Sequence, residues 1–196
     1  MVTAGQGVSR IPKKDCPAKL DLAMYNARTL RTDEKLIELE EAVSKLHCTM
    51  IGLSAVRREV EDTIILKSSN LFYYQKGEQS QGGVGFMVQK SLVNNIVRVE
   101  SVSSRVAYVK VKITKRYSLK VIQVYAHTTA HSDEEVEALY EDISKAIHAS
   151  KTYYSFVMGD FNASLDKRSG AELRVGQFGY RQRNERGKID HIQTLR

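Results

Sequence analysis

The sequence predicts an α/β protein with two packed β-sheets and helices on their outer faces. Three observations predict it. Two segments repeat apolar residues at helical spacing behind a polar cap. Short apolar or alternating runs bounded by turn residues fill the chain between them. Each helical segment also stands between two such runs, which makes strand–helix–strand units at both ends of the chain.

Residues 1–19 are polar and basic and are broken by Pro12 and Pro17, so a flexible tail is expected, with Lys13 and Lys14 solvated. A strand follows from Leu20 and ends at Asn26. Thr32 can cap a helix running to Leu46. Acids fill its first turn, and Leu36, Leu39, Val43 and Leu46 form its stripe. Met50–Leu53 closes the first unit as a buried strand. Thr63–Lys67, Leu71–Gln75 and Gly83–Val88 read as short strands. Gly82, Gly83 and Gly85 are not a phosphate loop, because no Lys-Ser/Thr pair and no helix follows. They suit a bulge or a close approach of backbones. Ile96–Ser101, Val106–Ile113 and Leu119–Tyr125 read as strands joined by tight turns, with Lys115-Arg116 in one of them. Ser132 and Glu135 form a capping box for a helix to Ala149, with Val136, Leu139, Ile143 and Ile147 on one face. The run ending at Met158 is the last strand, and Gly159 is expected to turn the chain at its end.

Composition sets bounds. The 196 residues suit one domain with a sizeable core, and 42% hydrophobic with 27% charged residues is ordinary for a globular chain. The net charge of +7 is compatible with a polyanionic partner. Two cysteines, Cys16 and Cys48, make no disulfide framework, which points to an intracellular protein, nuclear or cytoplasmic and not secreted. No run is long and apolar enough for a signal peptide or a membrane span. Oligomeric state is not legible.

The chemistry-bearing signal is Gly159-Asp160-Phe161-Asn162. Asp160 and Asn162 leave a strand end together, where sheet enzymes place their chemistry. An Asp can hold a metal or orient a water, and an Asn can donate to a phosphate oxygen. The same four residues can equally be a strand followed by an Asx turn. Tyr125 and Asn26, at two other strand ends, can be a wet aromatic and a turn former.

The motifs in order are a strand ending in Asn26, Leu53-Ser54-Ala55-Val56-Arg57-Arg58, Val124-Tyr125-Ala126, and Gly159-Asp160-Phe161-Asn162-Ala163. This series resembles the endonuclease/exonuclease/phosphatase superfamily, and within it the apurinic-type endonuclease domain of LINE retrotransposons. Gly176-Gln177-Phe178-Gly179 and Arg183-Asn184-Glu185-Arg186-Gly187 narrow the likeness to the RTE-like elements. It covers about residues 20 to 187. It implies a four-layer α/β sandwich of two mixed sheets flanked by helices. It also implies hydrolysis of DNA phosphodiesters with Mg²⁺ or Mn²⁺, and contact with DNA mainly through its phosphates. Asp160 would orient or deprotonate the attacking water and hold metal. Asn162 would hold the phosphate or that water. Tyr125 would face the developing charge, Asn26 would sit beside the metal, and Asp190 would orient a terminal His. Arg57, Arg58, Arg183 and Arg186 would touch the nucleic acid.

The chain departs from the family pattern in two places. Ala55 stands where the family carries its main metal-ligand Glu, so metal binding and hydrolysis are expected to be weakened or lost. After Gly187 the sequence runs straight into Lys188-Ile189-Asp190-His191, with no S-D-H motif after it. An internal gap and an incomplete second sheet are therefore expected. Three functions compete: an impaired endonuclease, a nucleic-acid-binding remnant without catalysis, and a phosphatase of small phosphate esters. The Arg183–Gly187 motif argues against the last.

Overall fold

The computed structural model describes residues 19–77, 82–127, 132–164, 166 and 184. The expected N-terminal tail, Arg183, Arg186, Asp190 and the expected gap after Gly187 lie outside the described residues.

The first unit is β1 (Leu22–Asn26), α1 (Asp33–Ser44) and β2 (Met50–Ser54). Thr32 caps α1, its hydroxyl accepting the Lys35 N–H at 3.5 Å. The capped helix buries Leu36, Leu39 and Val43. Leu46 falls outside this stripe. It lies past the helix end and is exposed. The helical crossover brings β1 and β2 together in parallel, with Asn26 opposite Ser54. β3 (Asp62–Ile65), β4 (Leu71–Tyr74) and β5 (Val84–Val88) complete a mixed sheet in the order β1-β2-β5-β4-β3.

A single-turn helix, α2 (Lys90–Val93), buries Leu92 and leads into the second sheet. It is too short to leave a periodic signature in the sequence. β6 (Ile96–Ser103), β7 (Val106–Lys112) and β8 (Ser118–Tyr125) pair antiparallel. α3 (Asp133–His148) starts at the expected box: the Ser132 hydroxyl accepts from the Glu135 N–H, and the Glu135 carboxylate accepts from the Ser132 N–H at 3.0 Å. It returns the chain to β9 (Tyr154–Asp160), parallel to β8.

Apolar residues fall into three layers. Met50, Tyr73, Phe86, Val109 and Val121 pack between the sheets. Leu36, Leu39, Ile51 and Leu53 join α1 to the first sheet. Tyr108, Ile122, Leu139 and Ile143 join α3 to the second. The result is the expected helix–sheet–sheet–helix sandwich. Each fully buried apolar side chain here contributes about 1.5–3 kcal/mol.

Two buried polar residues were not anticipated. Lys120 is 0% exposed and donates from Nζ to the Ala146 and Ile147 carbonyls, both at 2.7 Å. It satisfies carbonyls in the last turn of α3 that have no helical donor. Gln123 lies between the sheets against Gly52, where any side chain would collide with its amide. No helix among the described residues is long and apolar enough to cross a membrane.

Candidate active site at the converging strand ends

The two parallel pairs stack on each other across the core: β2 touches β8 and β9, and β1 touches β9. Side chains alternate along a strand. Asn26 shares the inward parity of Leu22, Ser54 that of Met50, Tyr125 that of Val121, and Asp160 that of Met158. Four carboxyl ends of strands thus bring inward-facing polar residues to one end of the seam between the sheets. This is the position at which open α/β sheets bind ligands.

Asp160 is the centre of this group. Its Oδ2 accepts from Asn26 Nδ2 across the seam at 3.1 Å, and its Oδ1 accepts from the Asn162 N–H at 3.1 Å. Asn162 adopts the left-handed region (φ 48°), which Asn tolerates, and its Nδ2 donates to the Ala126 carbonyl at 2.7 Å. The Ala126 N–H in turn donates to the Asp160 carbonyl at 2.8 Å. Asn26 makes an Asx turn of its own, with Oδ1 accepting the Arg28 N–H at 3.1 Å. The turn-former and site readings of these residues coexist in one arrangement.

Gly159 departs from its expected role. It does not turn the chain. It sits inside β9 opposite Val124, at φ 155°, and a Cβ there would collide with the Val124 carbonyl. The glycine lets two backbones approach so that Asp160, one residue on, can pair beside Tyr125.

Asn184 is a participant that the sequence did not single out. Its Oδ1 accepts the Ser164 N–H at 2.9 Å, and its Nδ2 donates to the Asn162 carbonyl at 3.1 Å. The Arg-Asn-Glu-Arg-Gly motif thus clamps the Asp160–Asn162 loop through its Asn. Arg105 was also missed. Its guanidinium lies over the Tyr125 ring, 5.6 Å from the centroid. The available signal was an Arg opening a strand that pairs with the one ending at Tyr125.

Ala55 lies one residue beyond Ser54. It is 2% exposed and left-handed at φ 54°, uncommon for a residue other than glycine. The backbone around it is tied down, with the Leu30 N–H donating to the Val56 carbonyl at 2.9 Å and the Val56 N–H to the Gly83 carbonyl at 3.1 Å. Arg58 has partners within the fold. Its guanidinium stacks 4.8 Å from the Tyr74 ring centroid, and it donates to the Leu30 carbonyl at 2.8 Å and to Asp33 at 2.9 Å. The side chain is 11% exposed and is spent on holding α1 to the first sheet, because an aromatic bed and an acid lie within its reach. Glu61, the nearby acid in sequence, accepts the Tyr73 hydroxyl at 2.7 Å. Burial first, and this carboxylate second, hold the Tyr73 phenol well above its usual range.

The described residues do not fit a resident Mg²⁺. That ion takes hard oxygen ligands in strict octahedral geometry. Asp160 brings one carboxylate, already accepting two hydrogen bonds, and the Asn26 carbonyl oxygen is taken by Arg28. Among the described residues no three His, Cys, Asp or Glu side chains cluster as a metal site. A groove of 560 Å³ between β1 and α1 lies elsewhere. It is lined mainly by apolar residues such as Tyr25, Leu39 and Val43, with Lys35 and Glu38 paired to each other at 2.7 Å.

No family model matches the sequence. Craniofacial development protein 2 of Bos taurus is 27% identical over 176 residues, 88% of this chain and 29% of that protein. The chain therefore spans under a third of the length of the curated relatives it matches. An AP endonuclease from Leishmania major superposes with a TM-score of 0.56 at 9% identity, over 77% of this chain and 58% of that one. The 3′ phosphatase NExo from Neisseria, bound to a product DNA hairpin, superposes with a TM-score of 0.53 at 13% identity, over 74% and 59%. The chain has the endonuclease/exonuclease/phosphatase fold. Within that fold the seam carrying Asp160, Asn26 and Asn162 is the candidate active site.

Proposed function

We propose that this chain is an apurinic-type DNA endonuclease module of retrotransposon origin whose Mg²⁺-dependent hydrolysis is impaired or lost. It binds duplex DNA through the phosphate backbone. The observation that carries this reading is Asp160, held between Asn26 and Asn162 at the strand ends, one seam away from a buried methyl at Ala55. The scaffold that would present a water and a phosphate to each other is kept. A second carboxylate for a metal is lacking at Ala55. The product-DNA complex of a protein of the same fold supports DNA as the ligand class.

Asp160 is placed to accept a proton from, or orient, an attacking water, and Asn162 holds the loop that fixes its direction. Charge neutralisation on the phosphoryl oxygens falls to arginine side chains, of which Arg57 is the nearest in sequence to Ala55. The test is a supercoiled-plasmid nicking assay with Mg²⁺ beside duplex binding by fluorescence anisotropy. Salt-sensitive binding without nicking is expected. Robust nicking by the unmodified chain would show that a metal cage forms without residue 55. Absence of duplex binding at low salt would remove DNA as the partner.

A further inference from the structure

Among the described residues the sandwich has two open sides, and they are built differently. On one side the sheets end in β3 and β6. β3 is four residues long, begins at Asp62 and follows Glu59 and Glu61 in the chain. β6 carries the paired Arg98 and Glu100, and register shifts interrupt it near both ends. Short length, charge and bulges are the devices that stop an edge strand from pairing with another chain. On the other side the sheets end in β1 and β9, which touch each other. β8 is the one described partner of β9, on one side of it. β9 carries none of these guards over most of its length. It is seven residues long, it pairs with β8 in unbroken register, and residues 152–158 hold no charge, proline or glycine. Six or seven uncharged residues of high β-propensity are also the composition that pairs with its own copy.

The side chains on this edge agree. Tyr153, Tyr154 and Phe156 are 67%, 52% and 48% exposed, and Met24 on β1 is 54% exposed. Tyr154 and Phe156 share the inward parity of Met158. The apolar layer between the sheets therefore runs out to solvent along β9 instead of closing with polar residues. Tyr153 packs edge-on against Tyr117 and Tyr154, with ring centroids at 4.7 and 4.6 Å. Rings already held by one another lose little freedom on docking.

We propose that the open edge of β9 is a homodimer interface, occupied by β9 of a second copy of this chain in an antiparallel pair. A pair of identical antiparallel strands is closed by a two-fold axis, so one contact uses up the edge on both copies and the assembly stops at two. The guarded β3 and β6 edges leave no second direction of growth. Aromatic side chains carry about 150–250 Å² each, so the exposed shares of Tyr153, Tyr154 and Phe156 amount to roughly 300 Å² per copy. Met24 and the strand backbones bring the total for both copies to about 1,000 Å², the lower bound of a specific interface. A contact of that size makes a weak dimer, formed at micromolar concentrations. Each copy has a net charge of +7 while the patch is uncharged, so salt screens the repulsion and tightens the dimer.

The test is sedimentation velocity on the full chain without nucleic acid, across the micromolar range and at low and high salt. A concentration-dependent step from monomer to dimer, stronger at high salt, is expected. Phe156→Lys and Tyr154→Lys place an ammonium on the edge and should each weaken association about tenfold or more, the loss of a central aromatic contact. Val97→Lys, at a comparably exposed apolar residue of β6, should leave it unchanged. Thermal melts identify any variant that fails to fold, and Phe156→Ser removes the apolar surface without adding charge if the lysine variant does. Hydrogen exchange of the unmodified chain needs no variant: the amides of Tyr154, Ser155, Phe156 and Val157 should slow as concentration rises, while those of β6 do not change. A monomer at every concentration would overturn the proposal, and protected β9 amides in that monomer would assign the edge to this chain's own residues after Ser164. Growth past the dimer would overturn the closed pair. An equal loss in Val97→Lys would move the interface off β9.

Discussion

The loops after β2 and β9 leave neighbouring layers at the same end of the sandwich, yet they keep different things. After β9, Asp160, Asn162 and Asn184 hold one another through side-chain and backbone hydrogen bonds. After β2, the turn is held by backbone bonds, Val56 to Gly83 and Leu30 to Val56, and by the Arg58 side chain on the Leu30 carbonyl, while residue 55 contributes only a buried methyl. The lesson is that a catalytic side chain and the turn that presents it are separable. The backbone bonds that shape the β2 loop do not ask what residue 55 carries, whereas the β9 loop is built out of its polar side chains. A change of side chain at residue 55 therefore disturbs the fold less than a change at Asp160, Asn162 or Asn184.

The largest expected effect lies at Ala55. Ala55→Glu should tighten Mg²⁺ binding by at least about 10–100-fold, the range that outer-shell partners alone carry. Calorimetry giving equal affinities would mean that the β2 loop does not face the metal position. Nicking should recover only partly in that variant, and adding Asp160→Asn should lower it again by about 10²–10³.

Next comes the packing that places Asp160. Gly159→Ala puts a Cβ into the Val124 carbonyl and should destabilise by about 3 kcal/mol or more in urea unfolding. A mild effect would show that β8 and β9 can separate without cost, and the contrast between the two loops would weaken.

Asn184→Ala removes two hydrogen bonds from the β9 loop and should cost about 1–2 kcal/mol, with faster amide exchange at Ser164. Ala55→Gly should do the opposite on the other side. It relieves a left-handed alanine and should stabilise by at most about 1 kcal/mol.

The smallest effect is on pH dependence. Burial, and then Glu61, raise the Tyr73 pKa above its ordinary 10.0, and burial with Glu100 does the same for Tyr108. The folded chain keeps these protons where the unfolded chain has lost them. Stability contributed by the two phenols is complete below pH 10 and declines as pH rises through and beyond it. Alkaline unfolding followed by circular dichroism should show this decline, and Tyr73→Phe should shrink it.

Much of this architecture was legible without coordinates, because its signals are local. The caps at Thr32 and Ser132 and the stripes of α1 and α3 are read within one turn of helix. The strand runs and the Asp160–Asn162 motif are contiguous too. The contacts of Arg58 were not legible, since its aromatic bed and Asp33 come from elsewhere in the chain. Gly159 was misread because a glycine followed by Asp looks like a turn until its partner strand is known. Lys120 gave no sign of burial, since the carbonyls that accept from it belong to α3, 26 and 27 residues away.

By itself, then, the sequence determined the helices, most strands, the order of the motifs and the substitution at residue 55. These depend on periodicity, capping and residue identity, which a linear chain displays. Only the tertiary structure decided that Asn26 faces Asp160 across 134 residues and that Asn184 closes the loop. Those outcomes depend on the stacking of two sheets. Stacking brings together strand ends far apart in the chain, and no local pattern encodes the distance between them.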